Sequence, residues 1–205
     1  MYEKNIFVIS YEIYEKILYE GKHFSIASIK ELKDLVITVN GVSKAYAMTG
    51  WRIGYLGANE EIVKLANKVQ GQMTSNASSI SQKAALAALT GTQEPVKRMV
   101  NEFKIRRDFI CSELKQIPGI EILVPSGAFY VFPKVSAYYG KNYNGMVIKN
   151  SNDFCEFILK EEKLAIIPGD AFGMDECVRI SFAASMEDLM KGIERFKRAI
   201  EKLGD

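Results

Sequence analysis

The chain of 205 residues is long enough for one or two domains, and 48% hydrophobic residues supply a substantial core. Its 27 basic and 25 acidic side chains leave a net charge of only +2, with no basic stripe to track a phosphate backbone, which disfavours nucleic acid as a partner. No apolar run approaches the roughly 20 residues that span a bilayer, and no charged-then-apolar leader is legible at Met1, so no membrane association is expected.

Met1-Tyr2-Glu3-Lys4 leads directly into the strand-like run Ile6 to Ile9. That run and Leu35 to Val39 are continuous rather than alternating, as expected of strands buried on both faces of a parallel sheet. Asn40-Gly41 reads as a turn. Ile53-Gly54-Tyr55-Leu56 is a third run, its glycine marking a close approach of backbone to a neighbour. Helices are predicted over residues 59–71 and 81–89, which makes this α/β sheet material.

From Pro95 to Ile117 a helical stripe runs through Val96, Met99, Val100, Phe103, Ile110 and Leu114, and it ends at Pro118-Gly119. Strands are predicted at Ile120 to Val124 and Phe129 to Phe132, then at Leu164 to Ile167 and Cys177 to Ala183, with a short helix over Ser151 to Glu161. The last helix starts with a capping pattern, Ser185-Met186-Glu187-Asp188, and repeats Leu189, Ile193, Phe196, Ile200 and Leu203. This half has an α+β layout, and the boundary is placed near Glu94, dividing the chain into 1–94 and 95–205. Cys111, Cys155 and Cys177 are odd in number, with neither a CxxC pair nor a zinc spacing, so buried thiols in a reducing cytoplasm are expected. The single His23 has no ligand cluster around it and reads as a surface or loop residue, with no metal site implied.

The chemistry concentrates in Ser43-Lys44-Ala45-Tyr46-Ala47-Met48-Thr49-Gly50-Trp51-Arg52-Ile53-Gly54-Tyr55. It places a lysine just beyond the second strand, and in open sheets of this kind ligands sit outside the carboxyl ends of the strands. Ser43 and Arg52 offer a hydroxyl and a planar cationic fork that together suit a phosphate. A lysine beside a phosphate anchor is what a pyridoxal phosphate enzyme needs, since its amine must bond to the cofactor aldehyde. Taken alone, a Ser-Lys pair is far more often part of a surface loop.

The whole segment resembles the lysine motif of the fold-type I, class I/II aminotransferases, the aspartate aminotransferase-like family. Four further segments resemble that family in the same order: Ile9 to Glu15, Thr74 to Gln82, Pro125 to Pro133, and Val178 to Ala183. The resemblance implies the C-terminal part of the large-domain sheet of a pyridoxal phosphate-dependent transferase, followed by a small α+β domain. It also implies roles. Lys44 bonds to pyridoxal 5'-phosphate and, once displaced by the substrate amine, moves the proton at the substrate Cα. Ser43 and Arg52 bind the cofactor phosphate, Tyr14 donates to the ring's phenolic oxygen, and Arg179 holds the substrate carboxylate. Asn76 and Phe129 lie in segments that line the site, whereas Tyr130, Phe132, Tyr138 and Tyr139 read as core and edge packing.

The reaction implied is transfer of an amino group from an L-amino acid to a 2-oxo acid, in a cytoplasmic homodimer. Two departures qualify it. The resemblance covers only the C-terminal half of the family's length, which implies a truncated fragment. In addition, the family places an aspartate at the end of the first strand, where this chain has Tyr11. That carboxylate pairs with the pyridine nitrogen, and a phenol, neutral at pH 7, offers no such counter-charge. Impaired or absent activity is therefore expected of this chain. The alternative is a catalytically silent fragment that self-associates or pairs with a complementing N-terminal half; a third reading keeps the cofactor and changes the chemistry to β-elimination.

Overall fold

In the computed structural model, which describes residues 6–204, strand pairing begins at Val8 rather than at Ile6. The reading of Met1-Tyr2-Glu3-Lys4 as an entry to this strand lies outside the described residues. β1 (Val8–Tyr11) is parallel to β2 (Val36–Gly41), with Val8 opposite Val36 and Tyr11 opposite Val39. β3 (Gly54–Gly57) runs antiparallel to β2, so that Gly41 faces Gly54. The expected parallel sheet is thus mixed, because the segment between β2 and β3 contains no crossover helix and simply turns back. Asn40 and Gly41 are the last residues of β2 and not the turn predicted for them.

The expectation of burial on both faces also needs correction. Val36 is buried, but Ile6, Phe7 and Ile9 are exposed, Ile9 by 70%. Among the described residues β1 is an edge strand of a three-stranded sheet. Two helices follow. α1 (Glu60–Met73) is started by Asn59, whose side-chain oxygen accepts a hydrogen bond from the Ile62 amide at 3.0 Å, and Glu60 and Glu61 complement the positive end of its dipole. α2 (Ser79–Thr90) comes next, and α3 (Glu94–Lys115) carries the predicted stripe, with Val96, Phe103, Ile110 and Leu114 buried.

The chain divides into two compact units, Met1–Val100 and Asn101–Asp205, and the division falls inside α3, a little beyond the boundary placed at Glu94 from sequence. In the second unit the sheet order is β4 (Tyr130–Val131), β8 (Val178–Ser181), β7 (Ile167–Pro168), antiparallel throughout. β5 (Asn142–Tyr143) and β6 (Met146–Val147) form a hairpin that the sequence reading missed, although Asn144-Gly145, both at positive φ, is a strong hairpin signal. No strand forms over Ile120 to Val124. A single bridge from Glu121 to Lys134 takes its place and Leu123 is 91% exposed, because nothing continues the pairing beyond Glu121.

The core of this unit lies between α4 (Ser151–Glu162) and α5 (Met186–Gly204). Asn150 caps α4 by accepting from the Asp153 amide at 2.9 Å, and the predicted cap of α5 appears as Ser185 accepting from the Asp188 amide at 3.0 Å. Leu189, Ile193, Phe196, Ile200 and Leu203 are all buried, as the stripe predicts. Phe154 of α4 is fully buried, its ring 6.1 Å from that of Phe196 and 6.0 Å from that of Tyr138. Each such ring contributes roughly 1.5–3 kcal/mol by leaving water. The three cysteines are free and buried, and burial pushes the Cys155 thiol up to about 12. Among the described residues no helix is long and apolar enough to cross a membrane.

Candidate functional site

Sheet topology brings four of the predicted site residues to one place. β1 and β2 are parallel, so their carboxyl ends lie at the same end of the sheet, and antiparallel β3 enters from that end. Tyr14 follows β1, Ser43 and Lys44 follow β2, and Arg52 precedes β3. All four therefore leave from one end. The segments are pinched together at Gly41, where a Cβ would stand 3.1 Å from Gly54 Cα, 3.1 Å from the Ile53 oxygen and 3.4 Å from Ile13 Cδ1. A side chain here would push this backbone apart by a few tenths of an ångström, and Gly54, where the sequence reading expected a close approach, is equally tight, its Cβ position 3.1 Å from the Asn40 oxygen.

Local anchors set each side chain. Ile13 and Ile17 are buried on either side of Tyr14, and the Ile17 amide donates to the Tyr14 carbonyl at 2.9 Å. Val42 and Ala45 are likewise buried and hold Ser43 and Lys44, both half-buried, between them. Ala47 and Arg52 adopt left-handed backbone at φ 53° and 52°, which costs a non-glycine residue about 1–2 kcal/mol. Arg52 is exposed, and its Nη1 donates to the Thr49 carbonyl at 2.9 Å, bracing the guanidinium across its own turn. Tyr46 donates to Gln93 Oε1 at 3.0 Å. Burial, reinforced by the Glu15 carboxylate, raises the Tyr46 and Tyr55 phenols above their ordinary range.

Beside these residues lies a network that the sequence reading overlooked. Glu12, 7% exposed, accepts from Ser10 Oγ at 2.9 Å and Ser25 Oγ at 2.8 Å on one oxygen, and meets His23 Nε2 at 2.8 Å on the other. Burial alone would raise this carboxyl, but the hydrogen bonds from His23, Ser25 and Ser10 outweigh it and hold Glu12 below its ordinary value. His23 does sit in an exposed loop, yet it is not isolated: it pins residues 23–25 to the end of β1. Glu15 lies close enough for one ligand atom from each of Glu12, Glu15 and His23 to fall within 4.8 Å of the others. Both Glu12 oxygens are already engaged by protein donors, so this is a clasp. The one signal in the sequence is the alternation His23-Phe24-Ser25, which puts two donors on one side of an extended segment.

Arg179 belongs to the second unit. It is half-buried on β8, with the Tyr130 ring centroid 4.7 Å and the Phe172 centroid 4.4 Å from its Cζ. Tyr130, read from the sequence as packing, packs its ring against this guanidinium. Tyr138 and Tyr139 donate to the Pro118 and Asp175 carbonyls, and Phe132 meets Phe172 edge-on at 6.0 Å. Phe129 is buried against Phe103 at 5.3 Å. Asn76 is exposed and follows Ser75, which is left-handed.

Pyridoxal phosphate presents three groups to be held: an aldehyde, a phosphate and a ring nitrogen. The donor set at the sheet end suits the first two, with an amine for the aldehyde and a braced guanidinium and a hydroxyl for the phosphate. The third is not matched by a carboxylate, since Tyr11, 68% exposed, ends β1.

An α/β sheet presenting lysine, serine and arginine at one end, followed by an α+β unit, is the fold of the pyridoxal phosphate-dependent transferases. The chain belongs to the family of class I and II aminotransferases, whose profile matches residues 1–196. It is 47% identical over 200 residues to a bifunctional aspartate aminotransferase and glutamate/aspartate-prephenate aminotransferase of Petunia hybrida, covering 95% of this chain and 42% of that protein. With the aspartate aminotransferase of Bacillus subtilis the identity is 43%, covering 98% and 50%. Among solved structures, the aspartate aminotransferase of Rhizobium meliloti superposes with a TM-score of 0.94 at 42% identity, over 98% of this chain and 51% of that one. The aromatic aminotransferase of Pyrococcus horikoshii gives 0.89 at 36%, over 98% and 52%. The chain spans about half the length of the curated relatives it matches.

Proposed function

We propose that this chain carries the lysine-bearing part of a pyridoxal phosphate-dependent aminotransferase, which moves an amino group from an L-amino acid to a 2-oxo acid. The observation that carries the reading is the convergence of Tyr14, Ser43, Lys44 and Arg52 at one end of the β1–β3 sheet. When bound, the cofactor supplies an electron-withdrawing ring that stabilises negative charge at the substrate Cα. Lys44 is the amine that holds it and then the base that moves the proton at that carbon. Ser43 and Arg52 bind its phosphate, and Tyr14 donates to its phenolic oxygen. Arg179 takes the substrate carboxylate through its two-pronged fork. Residues 1–94 are then part of a cofactor-binding domain and 95–205 the small domain, in a cytoplasmic protein that acts as a homodimer.

Tyr11 lowers activity in this proposal, because a phenol at the end of β1 leaves the ring nitrogen without a counter-charge. A second reading is favoured by the apolar side chains that β1 and α1 leave exposed, among them Ile9, Leu65, Val69 and Met73. It makes the chain catalytically silent and gives it a role in self-association or in pairing with a complementing N-terminal half.

Borohydride reduction of the purified chain with pyridoxal phosphate, followed by peptide mapping, separates these readings. A single adduct on Lys44 is expected. Scattered labelling over surface lysines, or none, overturns the cofactor site. Tyr11→Asp is expected to tighten cofactor binding about tenfold, the scale of one charge-assisted hydrogen bond. An unchanged affinity, read by absorbance titration, would show that position 11 does not meet the ring nitrogen.

A further inference from the structure

Two arginines of the second unit, Arg107 and Arg179, meet contrasting surroundings. Arg107 is buried and saturated: Nε and Nη2 donate to Asp108 Oδ1 at 2.9 and 2.7 Å, and Nη1 donates to the Pro125 carbonyl at 2.9 Å. Arg179 is half-buried, yet among the described residues no carboxylate pairs with it and no acceptor receives its N–H groups. What surrounds it is aromatic. Tyr130 comes from β4 on one side of β8, where it faces Ser181 and so lies diagonally across from Arg179 on the same face. Phe172 comes from the other side, in the short helical turn that follows β7.

That turn is fixed by backbone. The Gly169 amide donates to the Cys177 carbonyl at 2.9 Å and the Met174 amide returns to the Gly169 carbonyl at 3.1 Å. A Cβ at position 169 would stand 2.2 Å from the Met174 oxygen, so no other residue fits there without moving the turn. Phe132, edge-on to Phe172 with ring planes at 87°, steadies the ring from behind. Aromatic faces attract a guanidinium without using its N–H groups, which all lie in its plane.

We infer that Tyr130 and Phe172 are positioning residues that clamp Arg179, presenting its in-plane donors to an incoming carboxylate in one fixed orientation. The inference rests on the reading of Arg179 as a carboxylate ligand and adds what makes that ligand selective. A clamped fork favours planar, two-oxygen acceptors and loses less freedom on binding than a free side chain.

The test is a titration of the full chain, with isotopically labelled arginine, against succinate, following the Arg179 Nε–Hε resonance by NMR. In the free chain this resonance is expected upfield, shifted by the two rings, and to move on succinate binding. Phe172→Leu should remove much of the upfield shift and weaken succinate about tenfold. Phe172→Tyr should restore both, while thermal melts show all variants folded. Tyr130→Leu gives the same readout from the other side and serves if the Phe172 variant does not fold. Arg179→Gln should abolish binding. A wild-type chain indifferent to succinate, or Arg179→Gln binding as well as wild type, sinks the carboxylate reading and the inference with it. If Arg179→Gln abolishes binding while Phe172→Leu and Tyr130→Leu bind normally, the carboxylate reading stands and the clamp is wrong. An Arg179 resonance without an upfield shift in the wild-type chain also overturns the clamp.

Discussion

The two units differ in how they spend their apolar residues. Among the described residues, seven buried apolar side chains belong to Met1–Val100 and twenty-five to Asn101–Asp205, although the units are of similar length. The first unit instead leaves Ile9, Trp51, Leu65, Val69, Met73 and Ile80 exposed. Its shape depends on backbone pairing, the Gly41–Gly54 pinch and the Glu12 clasp, whereas the second has a continuous core between α4, α5 and its sheet. Lys44, which the proposed function makes the cofactor-holding amine, sits on the less consolidated unit. That is a common arrangement, since regions that bind and move are drawn from the low-stability end of a structure.

The largest expected effect tests whether the units are energetically separate. Phe154→Ala should cost about 3–5 kcal/mol, from the lost ring and the cavity left behind. The chain has one tryptophan, Trp51 in the first unit, so its fluorescence reports that unit alone. In urea the bulk circular dichroism transition should move to lower concentration while the Trp51 transition moves little. If both move together, the contrast between the units is structural only.

A middle-sized effect sharpens the picture of the first unit. Glu12→Gln should destabilise it by about 1–3 kcal/mol at pH 7, because three donors lose a buried charged acceptor. The sign with pH follows from the lowered carboxyl: its contribution is complete above the ordinary value of 4.5 and is lost as pH falls through the still lower folded value. Wild type and Glu12→Gln should therefore draw together in Trp51-monitored stability as pH falls below 4.5. A constant gap down to pH 3 would mean that Glu12 acts through shape alone.

The smallest effect is a matched pair. Asn59→Ala and Asn150→Ala remove equivalent caps, from α1 and α4, and each should cost about 1 kcal/mol. Only the first should register in Trp51 fluorescence.

What was legible in the sequence follows a physical rule. The stripes of α3 and α5 were readable because a helix's period is set within the helix, whatever it later packs against. Short strands were less so: Ile120 to Val124 looks like a strand and has no partner beyond Glu121, and pairing is decided by residues far along the chain. The same distinction holds at the site. Ser43, Lys44 and Arg52 stand out because they lie in one continuous segment. Glu12, His23 and Ser25 came together only through a folded loop, and Tyr130, Phe172 and Arg179 are brought together from three separate stretches. Beyond the His23-Phe24-Ser25 alternation, neither group shows a local pattern that its residue types alone would mark.

The buried sulfurs have a practical use. Cys111, Cys155 and Cys177 are each less than a tenth exposed, and burial raises all three thiols, so none offers a reactive thiolate to a maleimide at neutral pH. A cysteine placed on the surface of each unit would then be the only attachment point for a dye or spin label. The native sequence is thus ready for spectroscopic rulers without first being stripped of its own sulfur.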